Sequence, residues 1–197
     1  TGTAINLDAA QTWADRAVAK SQPMGFRVLG DICRERAKTM KPSTDDAASP
    51  KDREKHEAKV KQAYEHYQRG ADAGDRVSLR MLSEGHDAGV PGMPRNYELG
   101  TEFLRRSAMK RDLTAIRALA VRLEEGLKAP RDLSQAYCWR LVLVQLAGLP
   151  KDAEELTRLE HTMRLPEVQS GQNAAAKILK ELPSEAADAL SRLHTSR

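Results

Sequence analysis

The sequence is short of cysteine, aromatic residues and long apolar runs, and each shortage removes a class of protein. Two cysteines in 197 residues do not make a disulfide scaffold, so the interior must be held by packing. No apolar stretch approaches the roughly 18 residues that a membrane-spanning helix requires. Aromatics make up only 4% of the chain; Ala, Leu, Arg and Glu dominate, which favours helices over strands. No phosphate-cradling loop is present, because Gly85, Gly89 and Gly92 are not followed by Lys-Ser or Lys-Thr. Thr1 is not an initiator and no charged start leads into an apolar stretch, although a cleaved or trimmed start would look the same.

Charge of one sign is also missing as a block. The net charge is +4, which by itself points towards nucleic acid. Yet residues 1–50 carry 7 basic and 6 acidic side chains, residues 51–112 carry 13 and 11, residues 113–148 carry 5 and 3, and residues 149–197 carry 7 and 8. A nucleic-acid footprint concentrates its cations on one face or tail. This chain mixes both signs everywhere, so no nucleic-acid partner is expected.

What is present is repetition. Trp13, Tyr67, Phe103 and Trp139 are spaced 54, 36 and 36 residues apart. Ala10, Tyr64, Gly100 and Ala136 stand three positions before them, and the small residues Ala17, Ala71 and Ser107 stand four after the first three. Leu143 takes that place in the last. This spacing predicts one recurring helix with a large ring and a small neighbour on the same face. A second series alternates with it: Gly25-Phe26-Arg27-Val28-Leu29-Gly30 with Cys33, Ser78-Leu79-Arg80-Met81-Leu82-Ser83 with His86, and Ala115-Ile116-Arg117-Ala118-Leu119-Ala120 with Leu123. The pattern is small, apolar, Arg, apolar, Leu, small, with a further core position three residues on. Gly89 and Gly126 are placed to close the first helices in a left-handed cap. Asp75 and Asp112 are placed to open the next units as N-caps.

These residues resemble the Sel-like repeat, a relative of the tetratricopeptide repeat, most clearly at Ala71-x2-Gly74, Gly89-Val90 and Ala136-x2-Trp139. The resemblance spans roughly residues 6–148, with Cys33, His86 and Leu123 departing from a usual tyrosine. It implies an all-α fold: a right-handed α-solenoid of antiparallel helix pairs with a C-terminal helical cap. The expected organisation is one repeat domain. It comprises a half repeat (6–21), a repeat with a long hairpin insertion (22–74), two regular repeats (75–111 and 112–148) and a cap (149–197). The resemblance implies a protein-binding module with no enzyme activity and no cofactor. Bacterial members of the family serve in envelope signalling and assembly. Some act as periplasmic immunity proteins against antibacterial effectors of type VI secretion, phospholipases included. The competing classes are a scaffold fragment of a larger repeat protein and a hydrolase, the latter lacking any visible nucleophile and base.

The 18-residue excess between Trp13 and Tyr67 reads as a lengthened hairpin. Lys41–Ser49 is its polar tip, and Ser49, Pro50 and Asp52 start a helix running to about Ala73. Beyond Pro150 the pattern stops. Lys151–Arg164 reads as a helix, Pro166 as a break, Gln172–Leu182 as a second helix, and Pro183 to about His194 as a third, together capping the stack.

Candidate chemical sites are few. His56-Glu57 begins a zinc-helix motif, but Val60 stands where its second histidine belongs. His86 occupies a core position and is expected as a packed, hydrogen-bonded ring. Cys33 and Cys138 lie two repeats apart and are expected to be free and buried. Some Sel-like repeat proteins bridge the two helices of each repeat, and this sequence lacks those cysteine pairs. Glu124-Glu125 reads as solvated surface, since adjacent helical residues point in different directions. Arg105, Arg106, Lys110 and Arg111 read as cations at a helix C-terminus.

One feature goes beyond the family pattern. Arg27, Arg80 and Arg117 occupy the same place in three first helices, which in this family line the concave face. They are the candidate partner-binding residues, together with Asp31 and Glu84. Planar guanidinium donors suit carboxylates or phosphate, so the expected partner is another protein, such as a secreted toxin with an acidic surface. The alternative is that each arginine lays its stem over its neighbour's core.

Overall fold

The computed structural model describes residues 6–40 and 49–184. Among them it holds nine α-helices and no strand. The hairpin tip and the last proposed cap helix lie outside the described residues, apart from their edges. The helices form two compact units, with the division between Asn96 and Tyr97.

The first unit contains α1 (Leu7–Ala19), α2 (Pro23–Thr39), α3 (Pro50–Asp72) and α4 (Arg76–Ala88). Each helix packs on the next in sequence. The small residues of the repeat pattern make that possible. A Cβ on Gly25 would come within 2.8 Å of the Val18 backbone nitrogen, and one on Gly30 within 2.5 Å of the Tyr67 ring. Both glycines are therefore contact points between helices, in α2 against α1 and α2 against α3. Ser49 accepts the Lys51 amide at 3.3 Å and Pro50 takes the first turn, where a missing N–H costs nothing.

The second unit contains α5 (Tyr97–Ala108), α6 (Leu113–Glu125), α7 (Leu133–Ala147), α8 (Pro150–Glu160) and α9 (Leu165–Glu181). Its core joins Ile116, Leu119, Leu123, Trp139, Val142, Leu143, Leu159 and Val168. The ends behave as the repeat pattern demands. Asp75 accepts the Ser78 amide at 2.7 Å and Asp112 accepts those of Thr114 and Ala115 at 3.0 and 3.1 Å. Gly89 and Gly126 close α4 and α6 at φ 69° and 71°, a left-handed conformation costly for other residues. A Cβ at either would add strain to a cap that satisfies a last-turn carbonyl.

Two expectations need correction. Pro166 does not break a helix; it stands in the first turn of α9, which begins seven residues before the expected Gln172. Arg164 donates its backbone N–H to Glu167 at 2.8 Å, and that bond sets the start. A proline ring fits a first helical turn because no hydrogen bond is lost there. Trp13 is not a core ring. It is 68% exposed, whereas Tyr67, Phe103 and Trp139 are 0%, 7% and 2% exposed.

Candidate functional site

The three repeat arginines meet different surroundings. In the first unit Arg27, Asp31 and Arg34 fall at i, i+4 and i+7, one face of α2. Arg27 stands 3.8 Å from Asp31 and 3.9 Å from Asp75, the N-cap of α4. Both are ion pairs longer than a hydrogen bond, so Arg27 shares its charge between two carboxylates. Asp31 also accepts the Tyr67 hydroxyl at 2.8 Å. Burial, reinforced by the Asp31 charge, keeps that phenol protonated well above the ordinary tyrosine range.

Arg34 reaches α4 directly, donating to the Met81 sulfur at 2.9 Å. Burial opposes its charge, but Tyr67, Tyr64 and Glu84 outweigh that penalty and raise its pKa. On α4, Arg80 pairs with Glu84 one turn on, at 3.0 Å. Arg27, Asp31, Arg80 and Glu84 therefore sit on two helices tied together by the Arg27–Asp75 and Arg34–Met81 approaches. The result is a polar, mixed-charge face on the first unit.

Arg117 lies in the second unit and is engaged within it. Its Nε and Nη2 donate to Asp152 Oδ1 at 3.2 and 3.0 Å, and Nη2 to Oδ2 at 2.8 Å. Asp152 sits in the first turn of α8 and its side chain is only 7% exposed. The bidentate pair fastens α8 to α6, and charge-assisted bonds of this kind are the strong ones.

A second charged group nearby was not legible from spacing. Glu124 is not solvated surface, as expected above, but 14% exposed between two arginines. Arg140, inside α7 and 7% exposed, donates to Glu124 Oε2 through Nε at 2.9 Å and Nη2 at 2.5 Å. Arg158 of α8 donates to the other oxygen at 2.5 Å and also holds Glu155 at 2.9 Å. Burial raises the Glu124 pKa, but the bonds from Arg158 and Arg140 outweigh it and hold the carboxyl below its ordinary range. The one signal in the sequence was Arg140 itself, a lone charge in the run Tyr137-Cys138-Trp139-Arg140-Leu141-Val142-Leu143. Glu125 beside it is exposed.

The remaining candidates are packed or paired. His86 is buried with Nδ1 3.4 Å from the Pro94 carbonyl. Cys33 and Cys138 are free and buried. Burial raises both thiols, Cys138 to about 12, and a protonated thiol is a poor nucleophile. Among the described residues no group of three His, Cys, Asp or Glu could hold a metal. No described helix is long and apolar enough to cross a membrane. In the basic cluster Arg105 pairs with Glu102 at 3.3 Å, Arg106 lies over the Phe103 ring at 5.3 Å, and Arg111 donates to the Pro183 carbonyl at 3.0 Å.

No protein-family model matches the chain, and no curated protein matches it in sequence. Among solved structures it is similar to a protective antigen of uropathogenic Escherichia coli that displays a Sel-like repeat fold. The two share 14% identity at a TM-score of 0.57 over 93% of this chain. The chain spans 43% of that protein's length. The likeness shows that this chain has the Sel-like repeat fold.

Proposed function

We propose that this chain is a protein-binding module that receives its partner on the α2–α4 face of the first unit. The observation that carries this reading is Arg27. Its guanidinium is partly exposed, 26%, and its ion pairs with Asp31 and Asp75 are longer than hydrogen bonds, so a partner's carboxylate can add a closer bidentate contact. Arg80 and Glu84 extend the face with one charge of each sign. Arg117 is spoken for by Asp152 and belongs to the structural frame.

The finer reading is an immunity protein that neutralises a secreted antibacterial effector such as a phospholipase in the periplasm. It is supported by the family resemblance. The length of the similar E. coli antigen favours a second reading, a scaffold segment of a larger repeat protein.

Protection is the test. Export of this chain to the periplasm of a susceptible bacterium should rescue it from a co-expressed antibacterial phospholipase effector. Arg27→Glu should abolish rescue with only a small drop in melting temperature, since its two ion pairs are long and partly exposed. No rescue by the unaltered chain removes the immunity reading. Rescue that survives Arg27→Glu moves the interface off this face.

A further inference from the structure

We propose that Arg34 of α2 and the Tyr64 hydroxyl of α3 form a carboxylate-binding pocket in the first unit, which takes an acidic side chain of the protein partner. The inference rests on the partner meeting the α2–α4 face, and it names the group that this face reads.

Three arginines stand on that face, and two have carboxylate partners. Arg27 is shared between Asp31 and Asp75, and Arg80 holds Glu84. Arg34 has no carboxylate within ion-pair distance among the described residues. It donates to the Met81 sulfur at 2.9 Å and to the Tyr67 phenol oxygen. A thioether is a weak acceptor, and a guanidinium has five N–H groups to place. The side chain is half-buried, so the cation has lost part of its water without meeting an anion, a cost that a carboxylate offsets. The second unit shows the same register position completed. Glu124 follows Leu119 by the same interval that separates Arg34 from Leu29. It is closed by Arg140 and Arg158. The first repeat carries the opposite charge there, and none of its described helices supplies the counter-ion.

The pocket is held from three helices. The Tyr67 hydroxyl donates onward to Asp31 at 2.8 Å, so Arg34, Tyr67 and Asp31 form one chain of bonds. Met81, buried on α4, holds the guanidinium from the facing helix. Tyr64 stands one turn before Tyr67, edge-on to it with ring centres 5.5 Å apart. Its ring lies against Gly85 of α4, where a Cβ would collide with it. Met81 and Gly85 are four residues apart, so both contacts fall on one face of α4. The Tyr64 hydroxyl makes no hydrogen bond among the described residues. Burial keeps it protonated against the pull of Arg34, so it remains a donor. Glu84, whose charge reaches both groups, is engaged by Arg80. A guanidinium fork and a neighbouring phenol O–H match the two oxygens of a carboxylate.

Arginine side-chain N–H signals, followed by heteronuclear NMR, test the pocket, with the Arg34 signal identified by its loss in Arg34→Lys. The probe is a pentapeptide of sequence Ala-Ala-Glu-Ala-Ala blocked at both ends, beside its Ala-Ala-Gln-Ala-Ala counterpart. The glutamate peptide should move the Arg34 signal along a saturating curve, and the glutamine peptide should bind about tenfold more weakly. Arg34→Lys should lose most of the affinity, because an ammonium lacks the planar fork. Tyr64→Phe, which keeps the ring on Gly85, should weaken binding about two- to tenfold; with the glutamine peptide it decides the matter even if Arg34→Lys folds poorly. An Arg34 signal unmoved by the glutamate peptide, or moved equally by the glutamine peptide, overturns the pocket. The α2–α4 reading then stands or falls on the Arg27→Glu rescue alone. Inorganic phosphate that binds more tightly than the glutamate peptide assigns the donors to a phosphate-bearing ligand and also overturns the proposal.

Discussion

Arg27 and Arg117 stand at the same position of the same repeat pattern, and the two units use them in opposite ways. In the first unit Arg27 remains 3.8 and 3.9 Å from its nearest carboxylates. In the second, Arg117 makes three hydrogen bonds to one aspartate. The helices that carry them share the repeat's core positions, although α2 has 17 residues and no side-chain N-cap bond while α6 has 13 and is capped by Asp112. What differs is α8, which follows α7 and supplies Asp152 in its first turn. A repeat residue is thus assigned its role by the element that lands on it and not by its register. The same contrast separates Glu124, gripped by Arg140 and Arg158, from Glu84, which keeps one exposed pair with Arg80.

The largest expected effect breaks the anchored side of this comparison. Glu124→Ala strips the hydrogen-bonded partner from Arg140, which is buried in α7, and leaves only Glu155 at 3.8 Å. Breaking a buried pair costs about 3–5 kcal/mol; with Glu155 still near, the loss belongs at the low end, about 3 kcal/mol, read as a lower denaturant midpoint. Glu84→Ala, its exposed counterpart, should move the midpoint by less than about 0.5 kcal/mol. Equal effects would mean that the Arg140–Glu124 pair contributes no more than a surface pair.

Leu82 and Leu119 are both fully buried at the repeat's leucine position. Alanine at either should cost about 2–5 kcal/mol through lost burial and a cavity. Here the units should agree, because both leucines serve only the core. An unchanged melting temperature for Leu82→Ala would reject the register.

Reversal of the arginines sharpens the contrast further. Arg117→Glu sets a second carboxylate against the buried Asp152 and should lower stability by about 1–3 kcal/mol. Arg80→Glu replaces the i,i+4 pair with Glu84 by a like-charge pair, a change of about 1 kcal/mol or less for that pair. Partner affinity should respond the other way round, falling for Arg80→Glu and holding for Arg117→Glu in whatever fraction stays folded. Equal loss of affinity in both variants would show that the repeat position, and not its surroundings, sets the role.

The smallest effect is in pH. Glu124 has a folded pKa below that of the unfolded chain. Its stabilisation is therefore full above the unfolded glutamate range, about pH 4.3, and is lost as pH falls through the folded value. Stability curves between pH 6 and pH 3 should fall less steeply for Glu124→Gln than for the unaltered chain. Parallel curves would show that the two arginines do not hold the charged form.

The sequence by itself determined the repeat helices from α2 to α7, the caps at Asp75, Asp112, Gly89 and Gly126, and the small-residue faces those helices bury. Small residues at Gly25, Gly30, Ser78, Ser83, Ala115 and Ala120 are all buried, and Asp75, Asp112, Gly89 and Gly126 act at the ends where they were placed. These features are local: each rests on a 3.6-residue period or on backbone groups within one turn, so spacing alone reveals them. Pro166 was misread because a proline inside a first turn and a proline that ends a helix look the same without the Glu167–Arg164 bond. Charged partners 16 to 35 residues apart, Glu124 with Arg140 and Arg117 with Asp152, are set by how α6, α7 and α8 stack. So is the exposure of Trp13, whose neighbours in sequence match those of its buried equivalents. Only tertiary structure decided these, because burial and ion pairing depend on which surfaces meet, and a local pattern carries no record of the helix that arrives from elsewhere in the chain.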